Sequence, residues 1–189
     1  MMKTYVILLR GINVGGKNKI PMAELKLFLE EQGFKDVVTY IQSGNVVLRS
    51  DLAAKTLSAK IEDSLPKKFK LDSSLIKILA LDRKTFKNVV AQAPKEFGKD
   101  DGNYRYYVLF PMGTRASKAI KEIDVRPGID KAWQGDAAIY YRLPSLASPH
   151  ATKSYLNKVA QKPIYAAITM RNWKTTTKLL EILEGHKTE

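Results

Sequence analysis

The chain has 189 residues, 44% hydrophobic and 27% charged, which suits one large globular domain or two compact ones. It has no cysteine and only two histidines, His150 and His186, which excludes disulfides, thiol catalysis, cysteine-ligated metal centres and a histidine-rich metal site. Basic side chains outnumber acidic ones 32 to 19, a net charge of +13 that attracts anionic partners.

The excess is spread evenly, with 16 basic and 9 acidic residues in 1–92 and 16 and 10 in 93–189. No apolar run approaches the roughly 20 residues of a membrane span. The opening MMKTYVILLRGINV is basic and briefly apolar, but Arg10 interrupts it and no small-residue cleavage site follows. We expect a cytoplasmic protein that does not engage a membrane.

Residues 4–9 are aliphatic and β-branched and predict a buried strand. Pro21 fits the first turn of a helix whose apolar period runs through Met22, Leu25, Phe28 and Leu29, and Gly33 ends it. VVTYI (37–41) and VVLR (46–49) predict two strands joined by the turn Gln42-Ser43-Gly44-Asn45. A helix over 52–65, stopped by Pro66, and a strand over 74–81 complete a β-α-β-β-α-β set. That is the order of a ferredoxin-like split βαβ unit.

A helix over 83–93 leads to a second set. It comprises a strand over 103–110, a helix over 115–123, strands near 129–133 and over 137–143, a helix over 151–161 and a strand over 163–169. A last helix covers 173–185. YVILLRG (5–11) echoes YVLFPMG (107–113), and the second strand of each hairpin carries an arginine, Arg49 and Arg142. The expected class is therefore α+β: two tandem ferredoxin-like subdomains, 1–82 and 103–189, with the helix and polar linker 83–102 between them and an extra C-terminal helix. In such a unit the third strand lies between the first two, so the loop after strand one and the two–three hairpin converge at one end of the sheet.

Three stretches, LLRGINVGGKNKIPMAEL, TYIQSGNVVL and TMRNWKTTTKLLEIL, together resemble the bacterial domain-of-unknown-function 1697 (DUF1697) family. The resemblance runs over nearly the whole chain. It implies a duplicated ferredoxin-like α+β protein and no established activity, cofactor or catalytic residue.

The loop RGINVGGKNK (10–19) matches G-x-x-x-x-G-K from Gly11 to Lys17. A nucleotide-hydrolysing P-loop then needs a magnesium-binding Ser or Thr, and here stands Asn18. The helix also starts four residues too late for its N-terminus to face a phosphate. Glycines that aim backbone amides into a concavity, beside lysines, still suit an anion. The candidate contacts are Arg10, Asn13, Gly15, Gly16, Lys17, Asn18 and Lys19, with Gln42, Ser43 and Asn45 from the hairpin turn. The competing reading is a tight connection in which the asparagines hold backbone groups. Arg171, a planar fork near the last strand, is a second anchor, grouped with Ser148, His150 and Lys153. Asn172 is a candidate N-cap.

The tyrosines of NYRYYVLF and AAIYYRL also suggest base stacking, since Tyr104 and Tyr106 share a strand face and Arg142 lies on the partner strand. The sequence pattern of RNA-recognition strands is absent, and tyrosine is a favoured strand residue in any case. No residue is assigned to catalysis, metal or cofactor. The leading expectation is non-enzymatic binding of an anionic ligand, a nucleic acid or a nucleotide-like phosphate. The alternatives are an enzyme on a small phosphorylated or carboxylated substrate in an inter-domain cleft, and a dimerising interaction module.

Overall fold

The structure, a computed structural model, describes residues 1–72 and 76–186. Among them are two four-stranded antiparallel sheets, with helices between the strands and a C-terminal helix. The chain divides into a first unit, Met1–Lys87 with the chain from Leu179 onward, and a second, Asn88–Lys178.

In the first unit, β1 (Lys3–Arg10), β2 (Lys35–Tyr40), β3 (Asn45–Ser50) and β4 (Lys77–Asp82) form a sheet in the order β2-β3-β1-β4. β1 sits between β3 and β4, and its central residues are buried on both faces, as the unbroken aliphatic run demands. Tyr5, Ile7 and Leu9 alternate onto one face. There they meet Leu25, Phe28 and Leu29 of α1 (Met22–Glu31) and Leu57, Ile61 and Leu65 of α2 (Ala54–Lys68) in one core. Gly33, at φ +91°, ends α1 in a Schellman motif: its amide donates to Glu30 O at 2.9 Å and that of Phe34 to Leu29 O at 3.2 Å.

Several boundaries differ from the sequence expectation. α2 runs through Pro66 to Lys68 instead of stopping before it. Ser74 and Leu75, expected to open the fourth strand, lie outside the described residues. α3 (Arg83–Ala91) leads from the first unit into the second.

The second unit carries β5 (Tyr104–Pro111), β6 (Lys131–Gln134), β7 (Ile139–Pro144) and β8 (Ile168–Asn172) in the order β6-β7-β5-β8, the same arrangement as the first. Its core joins Leu109, Ile139, Tyr141 and Leu143 to Ala116 and Ala119 of α4 (Ala116–Ala119) and Val159 of α5 (Leu156–Val159). Both helices are far shorter than expected. The chain before α5 is held by Asp130, whose carboxylate accepts the amides of Tyr155 at 2.7 Å and Arg126 at 3.1 Å. Pro163, which lacks an amide donor, opens a 3-10 turn (Pro163–Ala167) where a strand was expected, so β8 begins only at Ile168.

α6 (Trp173–Gly185) closes the fold, with Asn172 as its cap: the Lys174 amide donates to Asn172 Oδ1 at 2.8 Å. Its far end belongs to the first unit. There Arg83 donates to His186 O at 2.6 Å, and Lys87 pairs with Glu184 at 2.9 Å.

Candidate functional site

The loop between β1 and α1 is pinned at both ends by isoleucine. Ile12 and Ile20 are 2% and 1% exposed and belong to the first core. Burial of such a side chain is worth about 1.5–3 kcal/mol, so the stretch between them is anchored at both ends.

Residues 13–18 form a miniature hairpin. The Asn13 amide donates to Asn18 O and the Lys17 amide to Val14 O, each at 3.0 Å, and Val14 and Lys17 form an antiparallel bridge. Gly15 and Gly16 make the reversal at φ +58° and +76°, as a primed two-residue turn requires.

The flanking asparagines take left-handed φ values of 53° and 49°, which asparagine tolerates better than other side-chain-bearing residues. Asn13 Oδ1 accepts the Ile20 amide at 2.8 Å, while its Nδ2 donates to Ile20 O at 3.0 Å and to Gln42 O at 2.8 Å. Asn18, 8% exposed, donates to Gly11 O and accepts the Asp72 amide, both at 2.8 Å. Both amide side chains are thus engaged with backbone groups. Asp72 was not legible as part of this loop, because no motif links it to residues 54 positions earlier.

The loop and the β2–β3 turn converge. Besides the Asn13–Gln42 bond, the Leu9 amide donates to Gly44 O at 2.8 Å. Gly44, at φ +72°, lies so close that a Cβ there would meet Ile12 Cδ1 and Leu9 Cβ at 2.9 Å. Asn45 is fully buried and donates to Tyr40 O and Ser43 Oγ, both at 3.1 Å, closing the turn from inside.

What remains at the surface is a distinct set. Val14, Gly15, Gly16, Lys17 and Lys19 are exposed, as are Gln42 and Ser43, and Arg10 is half-buried. From Arg10 to Ala23 the chain has three basic residues and no acidic one. The arrangement is a small basic projection on an internally bonded base.

Arg171 lies apart from this set in sequence and unit. It sits within β8 instead of after it, 7% exposed, and donates to Thr169 Oγ1 and Met170 O, both at 2.8 Å. Burial lowers its pKa to about 10. Of its expected companions, Ser148, His150 and Lys153 share one turn: the His150 amide donates to Ser148 Oγ at 3.1 Å and the Lys153 amide to His150 O at 3.0 Å. Tyr140 and Tyr141 are fully buried and offer no ring for stacking at the surface. The Tyr140 hydroxyl donates to Val89 O at 2.6 Å, and burial, aided by Asp136, pushes its pKa up to about 12.

Among the described residues no cluster of His, Asp or Glu could hold a metal ion, and no helix is long and apolar enough to cross a membrane.

The fold is α+β with two four-stranded antiparallel sheets, and two of the three sequence motifs meet where the loop after β1 touches the β2–β3 turn. The model of a family described as "Protein of unknown function (DUF1697)" matches residues 2–140, and the chain belongs to that family. No curated protein matches the chain. Among solved structures it is similar to the conserved bacterial protein SP0830 from Streptococcus pneumoniae, at 26% identity and a TM-score of 0.80 over 97% of this chain and 99% of that one.

Proposed function

We propose that this protein is a non-enzymatic binder of polyanions, and that the 13–18 hairpin grips a nucleic-acid backbone. The observation that carries the reading is the division of labour in the loop. Asn13, Asn18 and Asn45 are engaged with the protein's own groups. Lys17, Lys19, Gln42 and Ser43 are exposed on the base those asparagines hold. A pre-ordered base reduces the entropy lost when a ligand binds.

The contacts in this reading are Arg10, Lys17 and Lys19 as charges, the Gly15 and Gly16 amides as donors, and Gln42 and Ser43 as neutral partners. Arg171, committed to Thr169 and Met170, is scaffold in this reading. An exposed projection can follow a phosphate chain but cannot enclose a small molecule, which favours a polymer over a free nucleotide. The overall charge of +13 adds long-range attraction.

Each unit, in this proposal, is a ferredoxin-like fold. The strand orders β2-β3-β1-β4 and β6-β7-β5-β8 support it, with the first strand of each set between its third and fourth. We place the protein in the cytoplasm, a reducing compartment suited to a cysteine-free chain.

Fluorescence anisotropy with single-stranded RNA and duplex DNA, with free nucleotides as competitors, tests the reading. It expects saturable polymer binding that nucleotides displace poorly. Absence of polymer binding even at low salt overturns it, as does displacement by nucleotide at equal concentration.

A further inference from the structure

The second sheet carries a different kind of surface. The register pairs Tyr106 with Arg142 and Arg142 with Lys131, so these residues share one sheet face with Tyr104 and Trp133, two positions along their strands. Leu109, Ile139, Tyr141 and Leu143 point to the core on the other face. Phe97 packs edge-on against Tyr106 and Trp133, with ring centroids 4.9 and 5.9 Å away. A cavity of about 370 Å³ lies here, lined by Phe97, Tyr104, Tyr106, Lys131, Trp133 and Arg142. That is near the lower end of the roughly 300–1,000 Å³ of small-ligand sites, so it suits one small molecule.

Arg142 is the informative member. Its guanidinium carbon stands 3.9 Å from the centre of the Tyr104 ring, and its buried Nε has no hydrogen-bond partner. Its counterpart in the first unit behaves differently. Arg49, opposite Lys35 as Arg142 is opposite Lys131, donates to Asp36 Oδ2 at 3.2 Å.

Two carboxylates, Glu96 and Asp100, also line the cavity, and each has a partner of its own. Glu96 pairs with Lys99 at 3.3 Å, and Asp100 accepts the Asn103 amide at 3.2 Å and its side chain at 3.0 Å. A desolvated guanidinium N–H without an acceptor is costly, and carboxylates and phosphates are the acceptors whose geometry its fork matches. Lys131, with Nζ 5.0 Å from the centre of the Trp133 ring, adds a second cation beside an aromatic wall.

We infer that this cavity binds a small aromatic acid, a single planar ring system bearing a carboxylate or a phosphate. Arg142, which lines the cavity, receives the anionic group through its guanidinium fork, Lys131 supports it, and Phe97 and Trp133 flank the ring. The site is independent of the 13–18 hairpin, and its test reads residues of the second unit alone.

The experiment is an NMR titration of the full-length ¹⁵N-labelled protein. The probes are adenosine monophosphate, indole-3-acetate as a ring-bearing carboxylate, and inorganic phosphate alone. The readouts are the Arg142 Nε–H and Trp133 indole N–H resonances. The expected result is a saturable shift of both by at least one ring-bearing probe, the responding probe telling phosphate from carboxylate. R142K, which keeps the charge and loses the guanidinium fork, then weakens binding at least about tenfold while the rest of the spectrum overlays on wild type. Three outcomes overturn the inference: no shift with either ring-bearing probe, equal shifts with phosphate alone, or wild-type affinity in R142K.

Discussion

Asn13 donates from Nδ2 to the carbonyl oxygen of Gln42, 2.8 Å away and 29 positions later in the chain. This bond ties the loop after β1 to the β2–β3 turn, and the same side chain also holds both backbone groups of Ile20. Asn13→Gly keeps the left-handed backbone accessible while it removes the side chain's bonds and loosens the unfolded chain. The expected cost is about 1–3 kcal/mol, seen as a lower urea midpoint at unchanged slope, with faster amide exchange confined to the loop and the 41–45 turn. A midpoint equal to wild type would mean that the loop holds its shape without this bond.

Two glycines at the same end of the sheet separate conformational need from close packing. Gly16, at φ +76°, has open space around its missing side chain, so Gly16→Ala meets only the left-handed penalty of about 1–2 kcal/mol. Gly44, at φ +72°, faces Leu9 and Ile12 at 2.9 Å, and Gly44→Ala adds a clash against the core. Overpacking of that kind costs about 1–3 kcal/mol more, so thermal unfolding should rank the variants wild type, Gly16→Ala, Gly44→Ala in falling stability. Equal melting temperatures for the two variants would contradict the packing described here.

Tyr140 sets an alkaline limit. Its folded pKa of about 12 lies above the ordinary 10.0, so the folded state holds the phenol proton more tightly than the unfolded chain does. The stability this contributes is complete below pH 10 and is lost as pH rises from about 10 to 12. Burial raises Tyr141 in the same direction, with Asp130 adding to it. Urea midpoints should therefore fall steeply above pH 10. Tyr140→Phe should flatten that fall and cost about 1 kcal/mol at pH 7 through the lost bond to Val89 O. An unchanged alkaline profile in the variant would exclude Tyr140 as its source.

The sequence revealed some of this directly and concealed the rest for physical reasons. The aliphatic run of β1, the Gly33 stop and the Gln42–Asn45 turn follow from local chemistry, and so does the meeting of the two loops once β3 lies between β1 and β2. The short α5 was hidden, because the hold of Asp130 on Tyr155 acts across 25 positions. The asparagines posed a different difficulty. An amide next to glycine and lysine suits a ligand and a backbone staple equally well, and only the bonds to Ile20, Gln42, Gly11 and Asp72 separate the two. The cavity beside Arg142 needed Phe97, which no periodicity connects to the strands it packs on.

The most direct test of the polyanion reading is the salt dependence of binding to single-stranded RNA, wild type beside a Lys17→Ala/Lys19→Ala double variant. Each lost phosphate contact should reduce the slope of log K against log salt by about 0.7 on a single strand. The account predicts weaker binding in the double variant and a slope shallower by about 1.4. Binding of unchanged strength and slope would contradict it, and would assign any affinity for RNA to charge elsewhere on the chain.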